Sequence, residues 1–128
     1  MSWDVEVTDE FKSWWSELTE KEQDDVTEVV EALEEHGTSL PKQYSSSVRS
    51  SRHGHMRELR VQSGGRPIRI FYAFDPRRTA ILLIGGRKRG HEQRFYRDHV
   101  RRADAVYDQY TRELRREGLI ESERGWER

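Results

Sequence analysis

Within residues 56–96, three side chains have types and spacing suited to phosphate chemistry: Arg60 and Arg69 in alternating strand-like runs, and Lys88 in a basic knot. A planar guanidinium pairs with two phosphate oxygens at once and stays charged, so Arg60 and Arg69 are candidate phosphate clamps. A lysine crowded by other cations, as Lys88 is by Arg87 and Arg89, can have its pKa lowered enough to give or take a proton. Arg57, Arg87, Arg89 and His91 surround this set as further groups able to meet a polyanion.

Each assignment has a plainer alternative. Arg57 and Arg60 are also readable as cross-strand ion-pair residues with Glu58. Arg69, flanked by Ile68 and Ile70, either faces an open functional surface or needs a buried partner, and the open surface is the reading preferred. His53, His55, His91 and His99 lack the paired carboxylates and helical spacing of a metal site. Gly85 and Gly86 are too short a pair to cradle a nucleotide, and Trp14 and Trp15 read as packing residues rather than stacking platforms.

The charge map supports a polyanion at the centre of the chain. Residues 1–37 carry two basic and thirteen acidic side chains, residues 42–102 carry sixteen basic and four acidic, and the formal net charge is only -1. An acidic front blunts non-specific nucleic-acid binding while a basic centre focuses field locally. The 128 residues, with no cysteine, suit one domain without disulfides or thiolate chemistry. An acidic N-terminus and the lack of any long apolar run give the expectation of a soluble cytoplasmic protein with no membrane contact.

The positioning elements follow from periodicity. Trp3, Val5 and Val7 alternate with acidic residues as a short strand. Phe11, Trp14, Trp15 and Leu18 recur at helical spacing after Thr8 or Asp9, and Thr19 with Glu22 forms a capping box for a second helix, with Val26, Val29, Val30 and Leu33 as its stripe and Gly37 as its stop. Residues 38–54 are expected to be an exposed connection. Strands follow over 56–62, 67–74 and 79–84, the last ended by Gly85 and Gly86, with Ile68, Ile70, Tyr72 and Phe74 on one face and Arg69, Phe71 and Ala73 on the other. A helix over about 94–117, stopped by Gly118, completes an α+β domain of order β-α-α-β-β-β-α over 1–118, with 119–128 as a frayed tail. This reading sets the helical hairpin against one face of a small, mostly antiparallel sheet and leaves Arg60 and Arg69 on the other, open face.

Leu40-Pro41, SSRHGHMRELR from Ser50, RPIRIFYAFDPRR from Arg66, AILLIGGRK from Ala80 and RFYRDHVRRADAVYD from Arg94 together resemble the phage-derived HigB-like toxins of the RelE/ParE superfamily, over about residues 38–117. The resemblance implies a RelE-like fold and a toxin of a type II toxin-antitoxin pair, often a ribosome-dependent endoribonuclease that cuts messenger RNA. It adds Tyr96 to Arg60, Arg69 and Lys88 as the aromatic hydroxyl near the start of the last helix, which stacks on a base or relays a proton; packing beside Phe95 is the plainer alternative. Implied partners are a HigA-like helix-turn-helix antitoxin, the ribosome with its messenger RNA, and operator DNA only through the antitoxin; no cofactor is implied. The chain departs from the family pattern at Arg87, where an acidic or small polar residue is common. Two other readings stay open: a non-catalytic poison of DNA gyrase, as ParE-like relatives are, and an inactive remnant serving antitoxin-linked regulation. On the nuclease reading, Arg69→Ala and Lys88→Ala should each relieve growth arrest without unfolding the domain.

Overall fold

The computed structural model describes residues 2–121. In chain order it contains β1 (Val5–Val7), α1 (Asp9–Ser16), α2 (Glu20–His36), a short 3-10 turn (Gly37–Ser39), β2 (Ser45–Ser47), β3 (Arg57–Ser63), β4 (Arg66–Phe74), β5 (Ala80–Arg87) and α3 (Glu92–Arg116). The five strands form one sheet in the order β1-β5-β4-β3-β2, parallel only between β1 and β5. The α+β class, the helical hairpin and the C-terminal helix match the expectation. Residues 122–128 of the expected tail lie outside the described residues.

Local chemistry sets the hairpin. The Thr8 hydroxyl accepts the Phe11 amide at 3.0 Å and caps α1. Thr19 and Glu22 exchange hydrogen bonds at 3.1 and 2.9 Å, which completes the capping box of α2. Gly37 ends α2 at φ +55°, and a Cβ there would fall inside the Trp3 ring, so the position needs glycine twice over.

Strand parity then divides the interior in two. Leu59, Val61, Ile68, Ile70, Tyr72 and Leu82 pack beneath α1 and α2 with Phe11, Val26 and Leu33. Phe71, Ala73, Ile81, Leu83 and Ile84 pack on the other side beneath Phe95, Val100, Ala103 and Tyr107 of α3. A register shift between Phe71 and Tyr72 lets Leu83 and Ile84 face the same helix.

Three expectations need correction. The face carrying Arg69 is not open, because α3 lies across it; a stripe of Phe95, Val100, Ala103 and Tyr107 must bury itself, and Phe71 and Ala73 are the apolar surface available. Residues 38–54 are not simply exposed: Leu40, Ser45 and Val48 are buried, and Ser45–Ser47 adds an edge strand to β3. A serine run carries no apolar alternation to announce a strand. Gly85 and Gly86 do not end β5, which continues to Arg87. A Cβ on Gly85 would lie 2.4 Å from the Trp14 ring and one on Gly86 2.5 Å from His99 Nε2, so the pair lets α1 and α3 approach opposite faces of one strand.

Candidate functional site

Glu58 is the sole acidic side chain of β3 and β4, and its parity puts it on the α3 face, opposite Phe71 and diagonal to Arg69. It is only 3% exposed. Its Oε1 accepts the Tyr96 hydroxyl at 3.1 Å and the Ser46 hydroxyl at 3.1 Å, with Arg60 Nε at 3.5 Å and Arg69 Nε at 3.8 Å. One carboxylate oxygen therefore gathers side chains from β2, β3, β4 and α3. Lys88 joins from the loop after β5: its ammonium lies 5.5 Å from the centre of the Tyr96 ring and is paired with Glu92.

Arg60, Arg69, Lys88 and Tyr96 thus converge, but they do not share one environment. Arg60 is exposed, its side chain at 46%, and is free to reach a ligand. Arg69 is 7% exposed, which corrects the preferred reading of it as a residue on an open surface. Its Nη1 donates to the Ile68 carbonyl at 3.1 Å, and its charge is offset chiefly by Glu58. Opposite Arg69 stands Gly86, whose missing side chain lets His99 and Phe95 close over the guanidinium's strand. Burial of a cation in this way requires a carboxylate partner, and Glu58 supplies it.

The cluster holds unusual polarity. Glu58 Oε2 and Arg69 Nε are buried and accept or donate no hydrogen bond, a condition that folded proteins tolerate rarely and often at functional sites. The Tyr96 hydroxyl has its pKa raised, first by burial and then by its bond to the Glu58 carboxylate, with Arg69 opposing. It therefore stays a proton donor to Glu58. The pKa of Glu92 is lowered by the hydrogen bond from Lys88, with a smaller contribution from the charge of Arg69.

The remaining sequence candidates fall elsewhere. Arg57 sits on the opposite sheet face, where its Nε donates to Ser45 Oγ at 3.0 Å, itself 2.6 Å from the Tyr72 hydroxyl. Arg87 also points to the hairpin side and grips Glu22 through two hydrogen bonds of 2.7 and 2.6 Å. That clamp and the Thr19 amide hold the Glu22 carboxyl down at about 2. Arg87 is consequently turned away from Lys88, whose nearest charged partner is Glu92 rather than a crowd of cations. Arg89 and His91 are exposed on the approach to α3. Among the described residues no group of three or more His, Asp or Glu side chains could hold a metal ion.

Sequence reasoning named Glu58 only as an ion-pair partner and missed it as the centre. The signal was present: a lone carboxylate in a basic stretch, in phase with Arg60 two residues on. Ser46 carried no such signal, since only the pairing of β2 with β3 brings it to Glu58.

Residues 13–108 match the family described as "Phage derived protein Gp49-like (DUF891)". The chain is 35% identical over 111 residues to the candidate toxin HigB2 of Mycobacterium tuberculosis, covering 86% of this chain and 55% of that protein. It is 38% identical over 91 residues to the candidate toxin HigB3 of the same organism, covering 71% of this chain and 78% of that one. The chain spans about half the length of HigB2 and more of HigB3. A mutant of E. coli toxin RelE in the free state superimposes with a TM-score of 0.53 at 10% identity, over 89% of this chain and 99% of that chain, a likeness of fold alone. The chain therefore belongs to the phage-derived Gp49-like family, among the HigB-like proteins.

Proposed function

We propose that this chain is the toxin of a type II toxin-antitoxin pair and that it cuts messenger RNA on the ribosome through attack by the adjacent 2'-hydroxyl. The observation that carries this reading is the convergence of Arg60, Arg69, Lys88 and Tyr96 around the buried carboxylate of Glu58. The reaction must take the proton from the 2'-hydroxyl, stabilise charge on the phosphorane and return a proton to the leaving 5'-oxygen, giving a 2',3'-cyclic phosphate and a free 5'-hydroxyl.

In this assignment Arg60 grips the non-bridging oxygens, and Arg69 supports the developing charge from beneath it. Lys88 handles the proton, and Tyr96 positions the adjoining base with its ring. Glu58 is a positioning residue: by holding Arg60, Arg69 and Tyr96 to one oxygen it fixes their geometry before substrate arrives. A HigA-like antitoxin, with operator DNA bound through it, is the partner that fits the toxin reading.

Inducing the protein in cells and mapping 5' ends tests the proposal. Cuts within translated codons, absent with Lys88→Ala, are expected. Intact messages accompanied by gyrase-linked DNA breaks would replace it with the gyrase-poison reading, and neither effect would leave the regulatory remnant.

A further inference from the structure

An open groove of about 830 Å³ runs along α3 from Glu92 to Asp104, with Tyr96 of the Glu58 cluster in its wall. Its helical wall carries Gln93, Arg97, Val100, Arg101 and Asp104, spaced to share one face of α3. From Glu92 to Asp104 the helical rise makes this wall about 18 Å long. The opposing wall is Ser50–Arg52, and it is pinned in place. Ser51 Oγ donates to Asp104 Oδ1 at 2.5 Å, the Arg52 amide donates to Asp104 Oδ2 at 3.2 Å, and the Arg52 guanidinium pairs with Asp108.

These interactions decide the charge that the groove presents. Its acidic side chains are already matched, Asp104 by the loop and Glu92 by Lys88. Its helical cations are matched less fully. Arg101 is exposed and has no ion-pair partner among the described residues, while Arg97 is 64% exposed and meets only its neighbour Asp98, at 3.5 Å. Val100 gives an apolar floor and Tyr96 an aromatic ring at the end nearest Lys88. A basic track with an aromatic side chain at one end is the arrangement that holds single-stranded nucleic acid. The apolar groove between α1, α2 and β1 differs in kind, since Glu31 and Glu34 rim it.

We propose that the α3 groove is a subsite for single-stranded RNA, with Arg97 and Arg101 each meeting a backbone phosphate beyond the bond held at the Glu58 cluster. The assignment of that strand as the continuation of the cleaved message rests on the nuclease reading; the binding itself does not. The test is a salt series of fluorescence anisotropy titrations with a labelled RNA hexamer methylated at every 2'-oxygen, which cannot react by 2'-attack. Wild type is expected to bind, and Arg97→Ala with Arg101→Ala to bind at least tenfold more weakly. The slope of log affinity against log salt should fall in magnitude by about 1.4, at about 0.7 for each phosphate no longer neutralised. Arg97→Lys with Arg101→Lys should restore most of the slope, and Lys12→Ala with Lys21→Ala on the acidic hairpin should change nothing. No binding by wild type at low salt, or an unchanged slope in the alanine pair, overturns the subsite. A protein that binds in this way yet leaves messages intact keeps the subsite and loses the nuclease, whereas cutting with an unchanged slope does the reverse.

Discussion

The two faces of the sheet are closed by different physics. Beneath α1 and α2, Ile68, Ile70, Leu33 and Val26 are fully buried, and non-directional packing dominates. Beneath α3 the face changes along its length: Phe71, Ala73 and Leu83 repeat that pattern, then Glu58, Arg69 and Tyr96 replace it with a polar cluster. An apolar face tolerates any group of the right size, while a buried ion pair must keep both members. The α1/α2 face is thus built for stability, and the end of the α3 face keeps charge where a fold optimised only for stability would have put leucine.

Four substitutions put this contrast to the test. The largest effect should come from Ile70→Ala, which empties a fully buried position and should lower unfolding free energy by about 2–5 kcal/mol in urea titration, with little dependence on salt. A loss below about 1 kcal/mol would mean that the apolar face is not closely packed.

Arg69→Ala should follow at about 3 kcal/mol, because it leaves Glu58 buried without its closest buried cation. This revises the expectation that the variant would lose only activity. Its signature is coupling: Arg69→Ala with Glu58→Ala should be less destabilised than the sum of the single losses by about 1–3 kcal/mol. Strict additivity would show that the two do not depend on each other.

Arg87→Ala should reduce stability by about 1–2 kcal/mol at neutral pH through loss of two charge-assisted bonds to Glu22. Glu22 has its pKa depressed to about 2 in the folded chain against an ordinary value of about 4.3. Its stabilisation is therefore present above about pH 4.3 and is lost as pH falls towards 2. The variant should show a flatter acid limb between those values, and an identical limb would remove the clamp from the account.

Lys88→Ala should have the smallest effect on the fold, within the scatter of a urea titration, since its partner Glu92 is 66% exposed and solvent screens the pair. Growth arrest should nevertheless be relieved. A variant with wild-type stability and full toxicity would exclude Lys88 from the proposed chemistry.

Much of the architecture was legible because periodicity survives folding. The capping box at Thr19, the stripe of α2 and the division of Ile68 and Ile70 from Arg69 and Phe71 are all one-dimensional signals. The site was legible only in part. Arg60, Arg69, Lys88 and Tyr96 were all named, yet nothing in their order told which would be buried. Arg87 and Arg57 sat among the same cations, and parity alone sends both to the opposite face. Crowding in sequence was misleading for Lys88, because alternate residues of an extended chain point apart and Arg87 has Glu22 to meet.

Residue type and short-range spacing were enough to set the helices, every strand but β2, the two-faced sheet and the basic centre, because each of these is a local property of the chain. Tertiary structure alone decided that α3 covers the arginine face, that Ser46 and Tyr96 meet at Glu58, and that the loop at Ser51 locks onto Asp104 to leave Arg97 and Arg101 facing a groove. Each of those outcomes joins residues distant in the chain, and the burial that selects them exists only once the sheet and the helix have closed on each other.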